Sequence, residues 1–284
     1  MLIILSWKTF WAGWGTDEKA LILVLAHRYP HQRMEIRNAY HHRYREDLIR
    51  RPESELRGDF ERALYRWILD PADRDAVLAN VALSEGKVDY RVIIEVSCTR
   101  TPEEFLATKR AYMARYKHSL EEPVIFARYD GDEINAKLAA SEAEMLHHAI
   151  KEHEFNHEEI IRIVSTRSKT QLLATTNCYK DDHKISITKT LASNRENVLV
   201  DALQAAIRCL TVKEKYFVKV LRNALDKSGT HEDDLTRIIL TRAEKDLRQI
   251  KDLYYKRSSV PLEQAVAKET QGHYEDFLLA LLGN

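Results

Sequence analysis

Leu235-Thr-Arg-Ile-Ile-Leu-Thr-Arg242 is one of four versions of a single template in this 284-residue chain. The others are Leu21-Ile-Leu-Val-Leu-Ala-His-Arg28, Val92-Ile-Ile-Glu-Val-Ser-Cys-Thr-Arg100 and Ile160-Ile-Arg-Ile-Val-Ser-Thr-Arg167. Twelve residues after each arginine stands a tyrosine: Tyr40, Tyr112, Tyr179 and Tyr254. The arginines are 72, 67 and 75 residues apart. A unit of that length is longer than the common solenoid repeats, so each holds several helices.

Inside the template, apolar residues recur at helical spacing, as in Leu21, Val24, Leu25 and Leu235, Ile238, Ile239. No period-2 run suggests a sheet. Hydrophobic residues make up 44%, and only 8 Gly and 6 Pro supply turns, too few for a many-stranded β protein. Asn156 with Glu159, and Thr230 with Asp233, have capping-box spacing, and Thr16 before Asp17 and Glu18 places an acceptor and negative charge at a helix start. Each template arginine closes a helix, where its guanidinium is expected to satisfy the last carbonyls. The tyrosines are expected in the core. The reading is an all-α chain of four repeats, over 1–74, 75–129, 130–211 and 212–284.

Lys+Arg and Asp+Glu both count 44, so nothing global argues for nucleic acid. Cys98, Cys178 and Cys209 are few and odd in number, which fits a reducing cytoplasm better than a disulfide framework. The apolar start Met1–Leu5 is far shorter than the ~20 residues of a membrane span. It also lacks the basic start and cleavage site of a signal peptide.

One feature carries chemistry. Gly13-Trp14-Gly15-Thr16 is followed by Glu55, 40 residues after its second glycine, and Gly229-Thr230 by Glu269, again 40 residues on. Ca²⁺ takes six to eight oxygens in flexible geometry, and a glycine turn can aim successive carbonyls outward. The duplicated turn and distant acid therefore suggest a calcium site assembled from two loops. Repeats 2 and 3 have Ser84–Asp89 and Glu152–His157 at the corresponding loops, without the motif.

These features resemble the annexins, and the plant annexins more closely. The matching residues are Gly13–Glu18, the four Arg…Tyr cores, Asp59–Arg62, Leu69–Asp75, Cys98–Thr101, Ala111–Tyr116 and the ending Tyr274–Gly283. The resemblance implies five helices per repeat in a curved array, and calcium-dependent binding to anionic phospholipid. It implies a first site from the carbonyls of Trp11, Gly13 and Gly15 with the Glu55 carboxylate. A fourth-repeat site would use the carbonyls of Leu225, Lys227 and Gly229 with Glu269. Trp14 at the loop tip and Lys227 would face the membrane. No catalytic residue is implied, and the protein is expected in the cytoplasm, peripheral on membranes when calcium rises. Two departures stand out: a short, unusual start, and a cut second repeat. That repeat runs from Glu122 through Pro123–Tyr129 to Asp130 without a counterpart of Phe277–Leu282. A lost helix uncovers the faces that packed on it, at about 1.5–3 kcal/mol per large apolar side chain.

Other readings compete. His153-Glu-Phe-Asn-His157 matches a zinc-peptidase pattern, but Asn156 as an N-cap would place His153 before the helix. His27 falls where plant annexins have been discussed as haem peroxidases; a helix-end histidine is the plainer reading. Cys98 and Cys209 match family cysteines linked to oxidation, against the reading of inert buried thiols. Ile161-Arg162-Ile163 matches a motif proposed for actin binding in plant annexins, against core packing at helical spacing. A calcium-independent helical scaffold is the remaining alternative.

Overall fold

The computed structural model describes residues 18–49, 58–84, 88–120, 131–153, 158–192, 197–226 and 231–283. Every regular element among them is helical. In chain order these are α1 (Glu18–Leu25), α2 (Pro30–Tyr44), α3 (Asp59–Ile68), α4 (Pro71–Leu83), α5 (Tyr90–Thr99) and α6 (Pro102–Tyr116). Next come α7 (Ala136–Lys151), α8 (Glu158–Thr166), α9 (Lys169–His183), α10 (Ile187–Leu191) and α11 (Val198–Thr211). The chain closes with α12 (Lys213–Ala224), α13 (Glu232–Arg242), α14 (Leu247–Ser258), α15 (Leu262–Glu269) and α16 (Gly272–Leu282). Five of these fall in 130–211 and five in 212–284, while the expected boundary after residue 74 lies inside α4.

The chain forms two compact units. Unit 1 takes both ends of the sequence, residues 1–77 and 217–284, and unit 2 takes 78–216. In unit 1, α16 packs on α1, α3, α13 and α15, and α3 packs on α13 and α2. In unit 2, α7 packs on α8, α9 and α10, and α11 packs on α5, α8, α9 and α10.

The repeated tyrosines are core residues: Tyr40, Tyr112, Tyr179 and Tyr254 are all buried. Five residues after each, the helix ends in a left-handed residue that is not glycine: Arg45, Lys117, Lys184 and Ser259, with φ of 58°, 64°, 60° and 57°. This conformation exposes no side-chain pattern in the sequence, because glycine, its usual marker, is absent. At the other end of α6 a full capping box forms, with the Glu104 amide donating to Thr101 Oγ1 at 3.2 Å and the Thr101 amide to Glu104 Oε2 at 3.1 Å.

Two of the template arginines, Arg167 and Arg242, take carboxylate partners that the expectation did not include. Arg167 Nε donates to the buried Glu142 carboxylate at 2.6 Å. Arg242 grips Asp246 through Nε at 2.6 Å and Nη2 at 2.5 Å, with its guanidinium 4.7 Å from the Phe217 ring centre. Arg28 is exposed, and its carbonyl accepts from Arg33 Nη1 at 2.6 Å. The reason is electrostatic: a buried guanidinium is stabilised more by a carboxylate than by neutral carbonyls. The same logic organises the interior of unit 1. Glu244 accepts from Arg33 at 2.6 Å and Arg74 at 3.3 Å. Trp67 lies against both guanidinium groups, 3.9 and 5.5 Å from its ring centre, and its indole N–H donates to Leu25 O at 2.8 Å. Burial holds the Arg33 guanidinium below its ordinary value despite the opposing pull of Glu244.

Candidate calcium-binding end of unit 1

Of the residues proposed to bind calcium or touch membrane, Trp11, Gly13, Trp14, Gly15, Glu55, Lys227 and Gly229 lie outside the described residues. Leu225 and Glu269 are described. The loop before α13 is closed at its base: the His231 amide donates to Ala224 O at 3.0 Å. The Leu225 amide still bonds back to Leu221 O at 3.0 Å, but the Leu225 carbonyl accepts nothing among the described residues. A carbonyl past the end of a helix has no partner within the helix. The loop before α5 is closed in the same way, by Asp89 N to Ala82 O at 2.9 Å, but there the Asp89 carboxylate caps Arg91 N at 3.0 Å.

Glu269 is the last residue of α15, half-buried, with Lys268 Nζ 3.2 Å away. Thr270 turns the chain, its amide and hydroxyl both donating to Val266 O at 2.9 and 2.8 Å. Gly58 and Gly272 each follow their acid by three residues but differ in backbone: Gly58 is the extended N-cap of α3 at φ −103°, whereas Gly272 sits at φ +65° behind the extended Gln271. The cap falls on the glycine in one repeat and on the residue before it in the other. The Thr230 cap expectation also shifts, because α13 begins at Glu232 with His231 in the N-cap position; Thr230 itself lies outside the described residues.

The helix starts next to these loops and acids gather around the beginning of α16. His273 Nε2 is 3.9 Å from Glu18, the first residue of α1. The His273 ring lies 6.0 Å from Phe60, the second residue of α3, and Phe60 meets Phe277 edge-on at 5.9 Å. The Tyr274 hydroxyl donates to Glu232 O at 3.0 Å and lies 2.7 Å from Thr236 Oγ1, tying α16 to the start of α13. Burial pushes the Tyr274 phenol well above its ordinary value, so it stays a neutral donor. Four helix N-termini at one end create positive potential. Their first turns offset it with Glu18, Asp59, Glu61, Glu232, Asp233, Asp234 and Glu275. Among the described residues no three His, Cys, Asp or Glu side chains converge on one point as metal ligands. The described donors are thus the Leu225 carbonyl and the half-buried Glu269 carboxylate, hard oxygens of the kind Ca²⁺ accepts.

The competing motifs have clear positions. His27 is exposed in the turn after α1. His153 sits at φ +60° beyond the Glu152 C-cap of α7, so it is on no helix, and Asn156 and His157 lie outside the described residues. Ile163 is fully buried and Arg162 pairs with Glu159, but Ile161 is 41% exposed, so core packing explains only part of that triplet. Cys98 and Cys209 are buried free thiols. Sequence reasoning missed His273 and Tyr274 as organisers; Tyr274 was visible only as part of the terminal family motif.

Comparison with known proteins agrees with this architecture. The Annexin family model matches residues 6–67, 141–206 and 216–281, and leaves 68–140 unmatched. Annexin-like protein RJ4 of Fragaria ananassa is 61% identical over 287 residues, covering 95% of this chain and 91% of that protein. Annexin D7 of Arabidopsis thaliana is 47% identical, covering 96% and 91%. Among solved structures, chicken annexin V superposes with a TM-score of 0.86 at 27% identity, covering 99% of this chain and 94% of that one. Calcium-bound annexin (Sm)1 gives 0.77 at 25%, covering 95% and 86%. No described helix is long and apolar enough to cross a membrane. The chain belongs to the annexin family, as a plant-type member of a family of calcium-dependent phospholipid-binding proteins.

Proposed function

We propose that the end of unit 1 where α1, α3, α13 and α16 begin attaches this protein to anionic phospholipid through calcium. The supporting observation is the gathering of those four helix starts around His273 and Tyr274. It brings the chain that follows each glycine-threonine turn and each distant acid to one place. The residues that would hold calcium are Trp11, Gly13 and Gly15 by their carbonyls with Glu55, and Leu225, Lys227 and Gly229 by their carbonyls with Glu269. Bound calcium supplies a positive centre that phosphate oxygens can share. The first-turn carboxylates account for the need for a cation: without one they repel an anionic surface. Trp14 suits the headgroup level, and Lys227 adds about 1 kcal/mol of attraction to acidic lipid. The protein is then cytoplasmic, and peripheral on membranes when calcium rises. Calcium and lipid each strengthen binding of the other. No catalytic step is needed.

The test is co-sedimentation with phosphatidylserine vesicles in calcium and then in chelator. Pelleting is expected only with calcium. Glu55→Gln and Glu269→Gln should each raise the calcium needed for half-maximal binding, with the double variant worse than either. Equal pelleting in chelator, or an unchanged calcium requirement in the double variant, would refute the proposal.

A further inference from the structure

The third repeat, in unit 2, can be compared residue by residue with the fourth, in unit 1, because a constant offset of 75 relates Arg167 to Arg242, Tyr179 to Tyr254 and the helix end Lys184 to Ser259. The same offset pairs α8 with α13, including the ion pairs Glu159–Arg162 and Asp234–Arg237, each closing at 2.5 Å. In unit 1, α3 covers α13 and α16. Arg66 of α3 pairs with Asp233 at 2.7 Å, and Phe60 packs on His273 and Phe277. Beneath it Thr236 and Arg237 are each 3% exposed.

The counterparts in unit 2 are Glu158, Ile161, Arg162, Val198 and Ala202. Here Ile161 is 41% exposed and Val198 is 63% exposed. At the position of Ile161 the other repeats carry Ile22, Ile94 and Thr236, all buried, so exposure there is peculiar to α8. Glu158, in the place of Asp233, is exposed and has no ion-pair partner among the described residues. Ala202 in the place of Phe277 leaves room for a larger incoming side chain. Among the described residues no helix fills in unit 2 the seat that α3 fills in unit 1.

The chain also carries a surface that fits it. α6 exposes Leu106 and Met113, 47% and 46%, with the exposed Arg110 between them at helical spacing. This is the chemistry α3 brings to its seat: large apolar side chains with an arginine for the acid at the start of the receiving helix. We propose that the α6 ridge of one copy docks on the Ile161–Val198 seat of a second copy, with Arg110 meeting Glu158, so that this protein self-associates through unit 2. Because ridge and seat are separate patches, the contact closes into a dimer if reciprocal and otherwise chains onward.

Sedimentation velocity in calcium-free, lipid-free buffer tests this apart from membrane binding. Concentration-dependent association is expected in the unaltered chain. Ile161→Glu, which damages the seat, and Leu106→Glu with Met113→Glu, which damages the ridge, should each weaken it by about tenfold or more. Mixing the two variants should restore association, since one intact seat then meets one intact ridge. Circular dichroism confirms that the variants fold. A monomer at all concentrations, association unaffected by Ile161→Glu, or no recovery on mixing would overturn the proposal. A monomer whose Ile161→Cys thiol is shielded from reagent would mean that this chain covers its own seat, which also overturns it.

Discussion

Replacing Arg45 or Ser259 by glycine should stabilise the fold. Both residues end a helix in the left-handed region, at φ 58° and 57°. An L-residue there costs roughly 1–2 kcal/mol, while glycine returns about 0.5–1 of that through its greater freedom when unfolded. The net gain is about 0.5–1 kcal/mol per site, provided the lost side chain does nothing else. For Arg45 and Ser259 that condition holds, since neither side chain has a partner among the described residues. Lys117 and Lys184 differ: their ammonium groups return to Ala114 O at 2.8 Å and Asp181 O at 2.5 Å. Each such bond is worth about 0.5 kcal/mol or more, so glycine gains less at these sites. In a chain of this size each of Arg45→Gly and Ser259→Gly should raise Tm by roughly 1–4 °C. The two sites share no contact, so their effects should add. Calorimetry without calcium measures all four variants. A fall in Tm for Arg45→Gly or Ser259→Gly, or a larger gain at Lys117 and Lys184, would show that the cap strain reasoning fails here.

Further outcomes follow from the interior and the thiols. Glu244→Ala leaves Arg33 and Arg74 buried without their carboxylate and should cost about 3–5 kcal/mol, seen as a large drop in denaturant midpoint. Gly272→Ala forces an L-residue to φ +65°; with open space around the new Cβ, the cost is backbone strain alone, about 1 kcal/mol, measured by the same titration. Burial, and then the stacked His183 ring at 3.6 Å, holds the His147 imidazole below its ordinary value. A histidine depressed in the folded state supports stability above its unfolded value of about 6.5, and that support is lost as pH falls toward the lower folded value. Thermal melts between about pH 7.5 and 5 should therefore show a steeper loss in the unaltered chain than in His147→Gln. A thiol reagent should label half-buried Cys178 in the native state and reach Cys98 and Cys209 only on unfolding, as mass mapping would show.

The helical class, the repeat and the tyrosine core were legible in the sequence because each rests on local periodicity. The role of the arginines was less so. Arg167 and Arg242 looked alike in the template, but one meets Glu142 from a preceding helix and the other Asp246 from the following turn. Those partners lie outside the repeated pattern. The left-handed helix ends recur at a fixed distance from the tyrosines, yet the arginine, two lysines and serine that form them lack the glycine signature of such a cap. The candidate site was legible as spacing, but its organiser was not. His273 gains its role from Glu18 and Phe60, more than 200 positions away in the chain, and Tyr274 gains its role from Glu232 and Thr236 on another helix.

That long-range pairing changes the meaning of the damaged second repeat. Read in chain order, the loss after Leu120 falls between the two glycine-threonine turns and threatens any cooperation between them. The fold places both turns' helices in unit 1 and the shortened repeat in unit 2. In unit 1, α3 covers α13 and α16 covers α1, so each terminal repeat completes the other. The lost helix would have made the matching contact in unit 2, where α11 still covers α5 but α8 keeps an open flank at Ile161. The damage is thus confined to the unit that carries neither calcium motif. Two properties should then separate by variant: Ile161→Glu should alter self-association and leave calcium-dependent pelleting intact, while Glu269→Gln should do the reverse. If Ile161→Glu abolished vesicle binding while the chain stayed folded, the assignment of the two roles to different units would be wrong.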